Sequence, residues 1–183
     1  MQDNHQIIRA LLSQKRYEHS AAVARQAVRL AQRYGADPEK ADTAAIFHDI
    51  CKEMPPEEQL QWIAKSGIIL DSVTRQQPDL WHGPAAAGYL GAVLHISDPD
   101  LLAAVRYHTS GRAQMSLLEK IVYLADLTSE DRSYPDVALM RQLTERSLDE
   151  AMREALAFIV TDLVKKRRQI SPDTYRAYNW YCP

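Results

Sequence analysis

Adjacent His48 and Asp49 close an apolar run, Thr43-Ala44-Ala45-Ile46-Phe47, and Lys52 follows closely. An imidazole offers one nitrogen lone pair, and a neighbouring carboxylate offers oxygens that can bridge two ions. The dipeptide alone fits a helix end facing water equally well, so its meaning depends on matching ligands elsewhere. There are six histidines. Besides His48, three stand at helix positions or ends: His19, His82 and His108. Each has a plain alternative, as a polar residue on an amphipathic helix (His19), a turn or N-cap residue (His82) or a helix C-cap (His108). Asp126 is more telling. It lies inside Ile121-Val122-Tyr123-Leu124-Ala125-Asp126-Leu127, where a bare buried carboxylate is costly and must be paired or bind a metal.

Helices must position these groups. Ile7, Ile8, Leu11 and Leu12 predict a short amphipathic helix. Residues 17–34 carry an apolar stripe, Val23, Ala27, Leu30 and Ala31, with Gly35 as a stop. Asp37 as N-cap and Pro38 at the first helical position start the helix that delivers His48 and Asp49. Pro55-Pro56 opens a helix over 57–66, and 68–80 reads as a loop with at most a helical turn. Gly83-Pro84 begins a small-residue helix over 85–94, whose alanines and glycines would admit a close neighbour. Ser97-Asp98-Pro99-Asp100 caps a helix reaching Tyr107-His108. Ser116 and Glu119 form a capping box for a helix through Asp126. Pro135 is expected to start a helix toward Glu145. Ser147 and Glu150 suggest a second capping box for a helix over 148–168, whose basic end suits a helix C-terminus. Ser171-Pro172 opens a last short helix carrying Tyr175, Tyr178, Trp180 and Tyr181. No strand, repeat or linker is evident, so the expected fold is one all-α domain over residues 1–183.

The 183 residues are 46% hydrophobic and 25% charged, enough for a sizeable core. With Gly at 6 and Phe at 2, the composition favours helix. The net charge of -2 excludes a global field for nucleic acid, so phosphate-binding cations must be local. Cys51 and Cys182 make neither a disulfide framework nor a zinc ribbon. No apolar run approaches the ~20 residues of a membrane span. The polar start, residues 1–8, lacks a signal-peptide core, and a cytoplasmic location is expected.

The order His, His-Asp, His, His, Asp resembles the HD-domain metal-dependent phosphohydrolases. The local words Tyr17-Glu18-His19-Ser20, His48-Asp49-Ile50-Cys51-Lys52, His82-Gly83-Pro84-Ala85, Arg106-Tyr107-His108-Thr109 and Leu124-Ala125-Asp126, followed by Arg132 and Pro135, are similar to its YqeK-type branch. The similarity covers about residues 5–170 and leaves 171–183 as an aromatic tail. It implies a single HD-domain helical bundle that hydrolyses diadenosine tetraphosphate symmetrically to two ADP. It further implies that His19, His48, Asp49 and Asp126 hold one metal, and that Asp49 bridges to a second held by His82 and His108. Iron is the implied metal, and mixed nitrogen and oxygen donors also suit manganese, zinc or nickel better than magnesium or calcium.

Phosphate needs cations. Lys52, just after the metal-binding pair, is the favoured clamp. Arg132 is a second candidate, with a surface salt bridge as its rival reading. Asp49, Lys52 and Arg132 are thus the expected catalytic residues, with Thr109, His82 and His108 also facing substrate. Arg112 is a further candidate clamp. Arg106, two residues before His108 on a helix, is expected to face away from it. His95 reads as structural. Trp62, Trp81 and Trp180 read as packing, with Trp81, beside His82, the best placed to stack on adenine. Cys51 is not a ligand in the family pattern, though an open site would expose it to oxidation. The rivals are another nucleotide phosphohydrolase on the same scaffold and a nucleotide-binding regulatory module. A homodimer through the aromatic tail is left open.

Overall fold

The computed structural model describes residues 4–182, so residues 1–3 of the polar start and Pro183 of the aromatic tail lie outside the described residues. Among those described there are eleven α-helices and no strand: α1 Asn4–Leu11, α2 Gln14–Tyr34, α3 Pro38–Phe47, α4 Pro56–Lys65, α5 Ser72–Arg75, α6 His82–Val93, α7 Pro99–Tyr107, α8 Leu117–Thr128, α9 Val137–Arg146, α10 Leu148–Lys165 and α11 Pro172–Tyr181. The all-α expectation holds. None of these helices is long and apolar enough to cross a membrane.

Helix starts follow their caps. Asp37 and Asp98 each accept two backbone N–H groups ahead of a proline. Ser116 and Glu119 form both halves of a capping box. Gly35 ends α2 at φ 73, a left-handed conformation suited to glycine. α2 packs on α3 and α8, α3 also meets α7 and α8, and α6 lies against α4 and α7. The core they share is built largely of alanine, valine, leucine and isoleucine, with Phe47 and Tyr123 as large members.

The close approach expected of α6 is present. A Cβ on Gly88 would sit 2.5 Å from the Trp62 carbonyl oxygen, and one on Gly83 would sit 2.7 Å from that of Arg106. Glycine therefore lets α6 touch the backbones of α4 and α7.

Two local expectations are corrected. Pro135 does not start α9, because Asp136 takes φ 70 and the helix begins at Val137. The second capping box is half made: the Ser147 hydroxyl accepts from Glu150 N–H, but the Ser147 N–H donates to the Leu143 carbonyl as the end of α9. The segment 68–80, read as a loop with at most one helical turn, holds that turn, α5, and a 3-10 turn after it. The aromatic tail packs on its own domain: α11 lies on α10 and buries Ala177 and Tyr181, leaving Tyr175 and Trp180 outward.

Candidate metal centre

His48 is the first residue beyond α3. Its Nδ1 lies 2.6 Å from the Ala45 carbonyl oxygen. A carbonyl only accepts, so Nδ1 carries the proton and Nε2 presents a lone pair. That Nε2 is buried and has no hydrogen-bond partner. His108, the first residue beyond α7, repeats the arrangement, with Nδ1 at 2.7 Å from the Val105 carbonyl. His19, in the second turn of α2, has Nδ1 at 2.7 Å from Asp131 Oδ2, which frees its Nε2 in the same way. His82 opens α6, and the group beside its ring is the Lys52 ammonium, 3.3 Å from both nitrogens.

Asp49 lies at the middle of these rings. Its Oδ1 is 3.3 Å from His82 Nε2 and 3.6 Å from His108 Nε2. Its Oδ2 is 3.5 Å from His48 Nε2 and 3.9 Å from His19 Nε2. Asp126, on α8, places Oδ1 3.1 Å from His19 Nε2. Two groups of convergent donor atoms result, His19–His48–Asp126 and His48–Asp49–His108. The structure thus brings all six sequence-named ligands together, with each Asp49 oxygen facing a different pair of histidines.

Charge explains the protonation states. Burial works to raise the Asp49 carboxyl, but His48, His108 and His82 outweigh it and hold the group well below the ordinary carboxylate range. Burial likewise opposes ionisation of Asp126, and His19, His48 and Arg132 reverse it. His82 is pushed well below the ordinary imidazole value by burial, with His108 and Lys52 adding to the effect. Burial works to lower His48, but Asp49 and Asp126 outweigh it and raise it, so a cation at its Nε2 would displace a proton. The site offers ionised carboxylates, and in His82 a neutral imidazole, as metal binding requires. A buried imidazole nitrogen with no partner, such as His48 Nε2, costs about 1–3 kcal/mol unless something binds it. The residues fit a first-row transition metal by donor type, by tautomer and by that orphaned nitrogen.

A cavity of about 330 Å³ opens onto Asp49, His82, His108 and Asp126, with Lys52, Thr109 and Arg132 in its wall. The Thr109 hydroxyl is 3.2 Å from His82 Nε2. Arg132 donates from Nε to the Asp126 carbonyl at 2.8 Å and from Nη2 to the Asp126 carboxylate. Its salt bridge therefore forms with a candidate ligand at the cavity wall.

Other candidates lie elsewhere. Arg112 is spent on a bidentate pair with buried Glu119, at 2.6 and 2.7 Å, and is not a phosphate clamp. Arg106 stacks over the Tyr107 ring at 4.8 Å, outside this cavity. The Trp81 indole is buried and donates to the Thr74 carbonyl at 2.8 Å, so it does not stack on adenine. Cys51 is fully buried and its thiol is pushed up to about 12, chiefly by burial, which removes the oxidation hazard. His95 is exposed, at φ 55.

Sequence reasoning missed three residues. Arg16 donates from Nη1 to Asp49 Oδ2 at 2.7 Å. It precedes His19 by three positions on α2, a helical spacing that places both on one face. Tyr123 precedes Asp126 by the same interval, lines the cavity and has a buried hydroxyl with no partner. Asp131 gave no local signal, because its partner His19 is 112 positions away.

The HD domain family model matches residues 16–131. A Bacillus subtilis (strain 168) protein named symmetrical bis(5'-nucleosyl)-tetraphosphatase is 40% identical over 94% of this chain and 92% of its own length. A protein of the same name from Halalkalibacterium halodurans is 37% identical over 95% and 92%. A crystal structure from Clostridium acetobutylicum, described as a predicted HD superfamily hydrolase involved in NAD metabolism, superposes with TM-score 0.93 at 32% identity, covering 97% of this chain and 94% of the other.

Proposed function

This chain belongs to the HD-domain family, alongside its symmetrical bis(5'-nucleosyl)-tetraphosphatase members, and on that premise we propose that it is a metal-dependent hydrolase splitting diadenosine tetraphosphate into two ADP. The observation that carries this reading is Asp49, whose two oxygens face different histidine pairs. We assign His19, His48, Asp49 and Asp126 to one cation, and Asp49, His82 and His108 to a second. Iron is the foremost candidate, and manganese, zinc and nickel suit the same donors. Cations held there supply Lewis acidity and make water acidic enough to ionise near neutral pH.

The chain's own residues bind and orient the substrate. The Lys52 ammonium, beside His82, is placed to take a phosphate oxygen as a compact charge. The Thr109 hydroxyl adds a neutral donor at the same end of the cavity. Arg132, held through Nε and Nη2, keeps Nη1 available for phosphate at the other end. The oxygen of water bonds to one of the two central phosphorus atoms, and the bond from that phosphorus to the central bridging oxygen breaks. Each half departs as ADP, and surplus protons pass to solvent. The leaving ADP is an anion and needs less proton donation than an alkoxide would. Both free thiols fit a reducing compartment, and we place the protein in the cytoplasm.

The test is to purify the protein without chelators, count metals per chain and follow the products from diadenosine tetraphosphate. Two metals and ADP alone are expected. AMP with ATP would overturn symmetrical cleavage, and metal without turnover would overturn the hydrolase reading. Asp49→Ala is expected to lose both metals, and His82→Ala or His108→Ala to lose one. The second-site assignment fails if those two histidine variants retain two metals per chain.

A further inference from the structure

A second cavity, of about 530 Å³, adjoins the reaction cavity and is lined by the cations of Lys15, Arg16, Arg25 and Arg132, by the carboxylates of Glu18, Glu130 and Asp131, and by His19. Two residues, Arg16 and Arg132, line both cavities. We propose that this second cavity binds the phosphates and ribose of one nucleoside diphosphate half of the substrate, with Arg16 and Arg132 gripping phosphate at the boundary. The proposal rests on the hydrolase reading above.

Symmetrical cleavage is the first argument. A substrate cut at its central bridging oxygen carries one nucleoside diphosphate half on each side of the scissile bond. The reaction cavity, with Lys52 and Thr109 at one end, accommodates one side. The second cavity, across Arg16 and Arg132, is an adjoining space large enough for the other side. Its volume lies within the range of about 300–1,000 Å³ usual for small-molecule sites.

The donors are the second argument. Arg16 makes one side-chain hydrogen bond, from Nη1 to Asp49 Oδ2, and is 30% exposed. A guanidinium carries five N–H groups in a fixed fork, so four remain for a ligand. Arg132 uses Nε and Nη2 on Asp126 and keeps Nη1. The two guanidiniums are anchored to the two carboxylates of the metal centre, which fixes their positions relative to the reacting phosphorus. Lys15, exposed at the rim, adds an ammonium that makes no salt bridge among the described residues, whereas Arg25 is committed to Glu130.

The third argument is the lining: among the described residues it holds no Phe, Tyr or Trp, and its one ring, the His19 imidazole, is bonded to Asp131 and turned to Asp126. The cavity has charge for phosphate and polar atoms for ribose, but no uncommitted ring to stack on a base. This half of the substrate is therefore selected by its phosphates, with little preference for its base.

The test compares wild type with Arg16→Gln, Arg16→Lys and Lys15→Glu. Each is assayed on diadenosine tetraphosphate and on bis(p-nitrophenyl) phosphate, which has no second nucleotide, with ADP as an inhibitor and metal content measured. Wild type converting the tetraphosphate to ADP establishes the hydrolase reading, and its failure to do so would sink that reading separately. Arg16→Gln is expected to raise the tetraphosphate KM and the ADP inhibition constant about tenfold or more. Its loss on bis(p-nitrophenyl) phosphate should be much smaller, its metal content should match wild type, and Arg16→Lys should restore part of the affinity. Lys15→Glu, on the surface, should raise the same two constants several-fold without affecting folding. Equal losses on both substrates, or metal loss in Arg16→Gln, would mean that Arg16 acts through Asp49, and the proposal falls. Unchanged constants in Arg16→Gln and Lys15→Glu would likewise overturn it.

Discussion

Asp131 touches His19 on the nitrogen that faces away from Asp49 and Asp126. The Ser129 hydroxyl in turn donates to its other oxygen at 2.6 Å. This carboxylate sets the tautomer and ring orientation of His19. Asp131→Asn keeps an acceptor of similar shape and removes the charge, so metal affinity should fall about 10–100-fold. Calorimetric titration of metal into the stripped variant measures this, and an unchanged affinity would show His19 to be oriented by packing alone. At this scale the six candidate ligands were legible because each sits in a short word with its own signal: a histidine at a helix end, or a carboxylate in an apolar run. Arg16 and Tyr123 were legible in principle from their three-residue spacing to His19 and Asp126, but a site arginine and a core tyrosine look ordinary there. Asp131 was not legible, because only the folded chain brings it to α2.

At the level of the helices, backbone contact decides how far the histidines can approach one another. Gly83 lets the start of α6 rest on the Arg106 carbonyl, and this places His82 Nε2 3.0 Å from His108 Nε2. Gly83→Ala forces these helices apart and should cost about 1–3 kcal/mol of stability. It should also empty the site shared by His82 and His108 before the one shared by His19 and Asp126. Paired denaturation and metal analysis would test this, and retention of full metal content would show that the approach is not needed. α5 matters in a different way. Asp71 accepts from Val73 N–H, Thr74 N–H and the Thr74 hydroxyl, and Thr74 accepts from the Trp81 indole just before His82. Burial works to raise the Asp71 carboxyl, but these donors outweigh it and hold the group below its ordinary value. A depressed carboxylate contributes stability above its unfolded pKa and loses that contribution as pH falls through the folded value. Asp71→Ala should therefore cost about 1 kcal/mol at neutral pH. The gap from wild type should narrow as pH drops below about 4, read from urea midpoints. A gap that stays constant with pH would assign the loss to packing. Helix starts were legible wherever a side chain could cap, as at Asp37, Asp98 and Ser116. The start at Val137 was not, because Asp136 reaches a left-handed conformation that its residue type permits but does not require.

The whole molecule carries a net charge of -2, yet Arg16, Lys52 and Arg132 line the cavity that opens onto Asp49, His82, His108 and Asp126. Attraction for a polyphosphate is thus local and partly open to solvent. Raising salt from about 0.05 to about 0.5 M should raise KM several-fold with a smaller change in kcat, since screening weakens encounter more than buried contacts. A KM indifferent to salt would mean that the phosphates are recognised in a desolvated pocket. The helical class and the lack of a global basic field were readable from composition without coordinates. The pairing of two cavities across a candidate metal centre was not, since their walls come from α2, α6, α8, α10, the Asp49–Lys52 turn, the His108–Thr109 turn and the Glu130–Arg132 stretch at once.

His48 and His108 share one device: each stands just past its helix and bonds the carbonyl three residues back. Both bonds lie within a single turn of chain. They form when α3 and α7 form, without waiting for distant partners. The rotamer entropy of two ligands is thus lost during folding and not when a cation arrives. A metal that meets already aimed rings keeps more of its coordination energy as affinity, because it has little left to order.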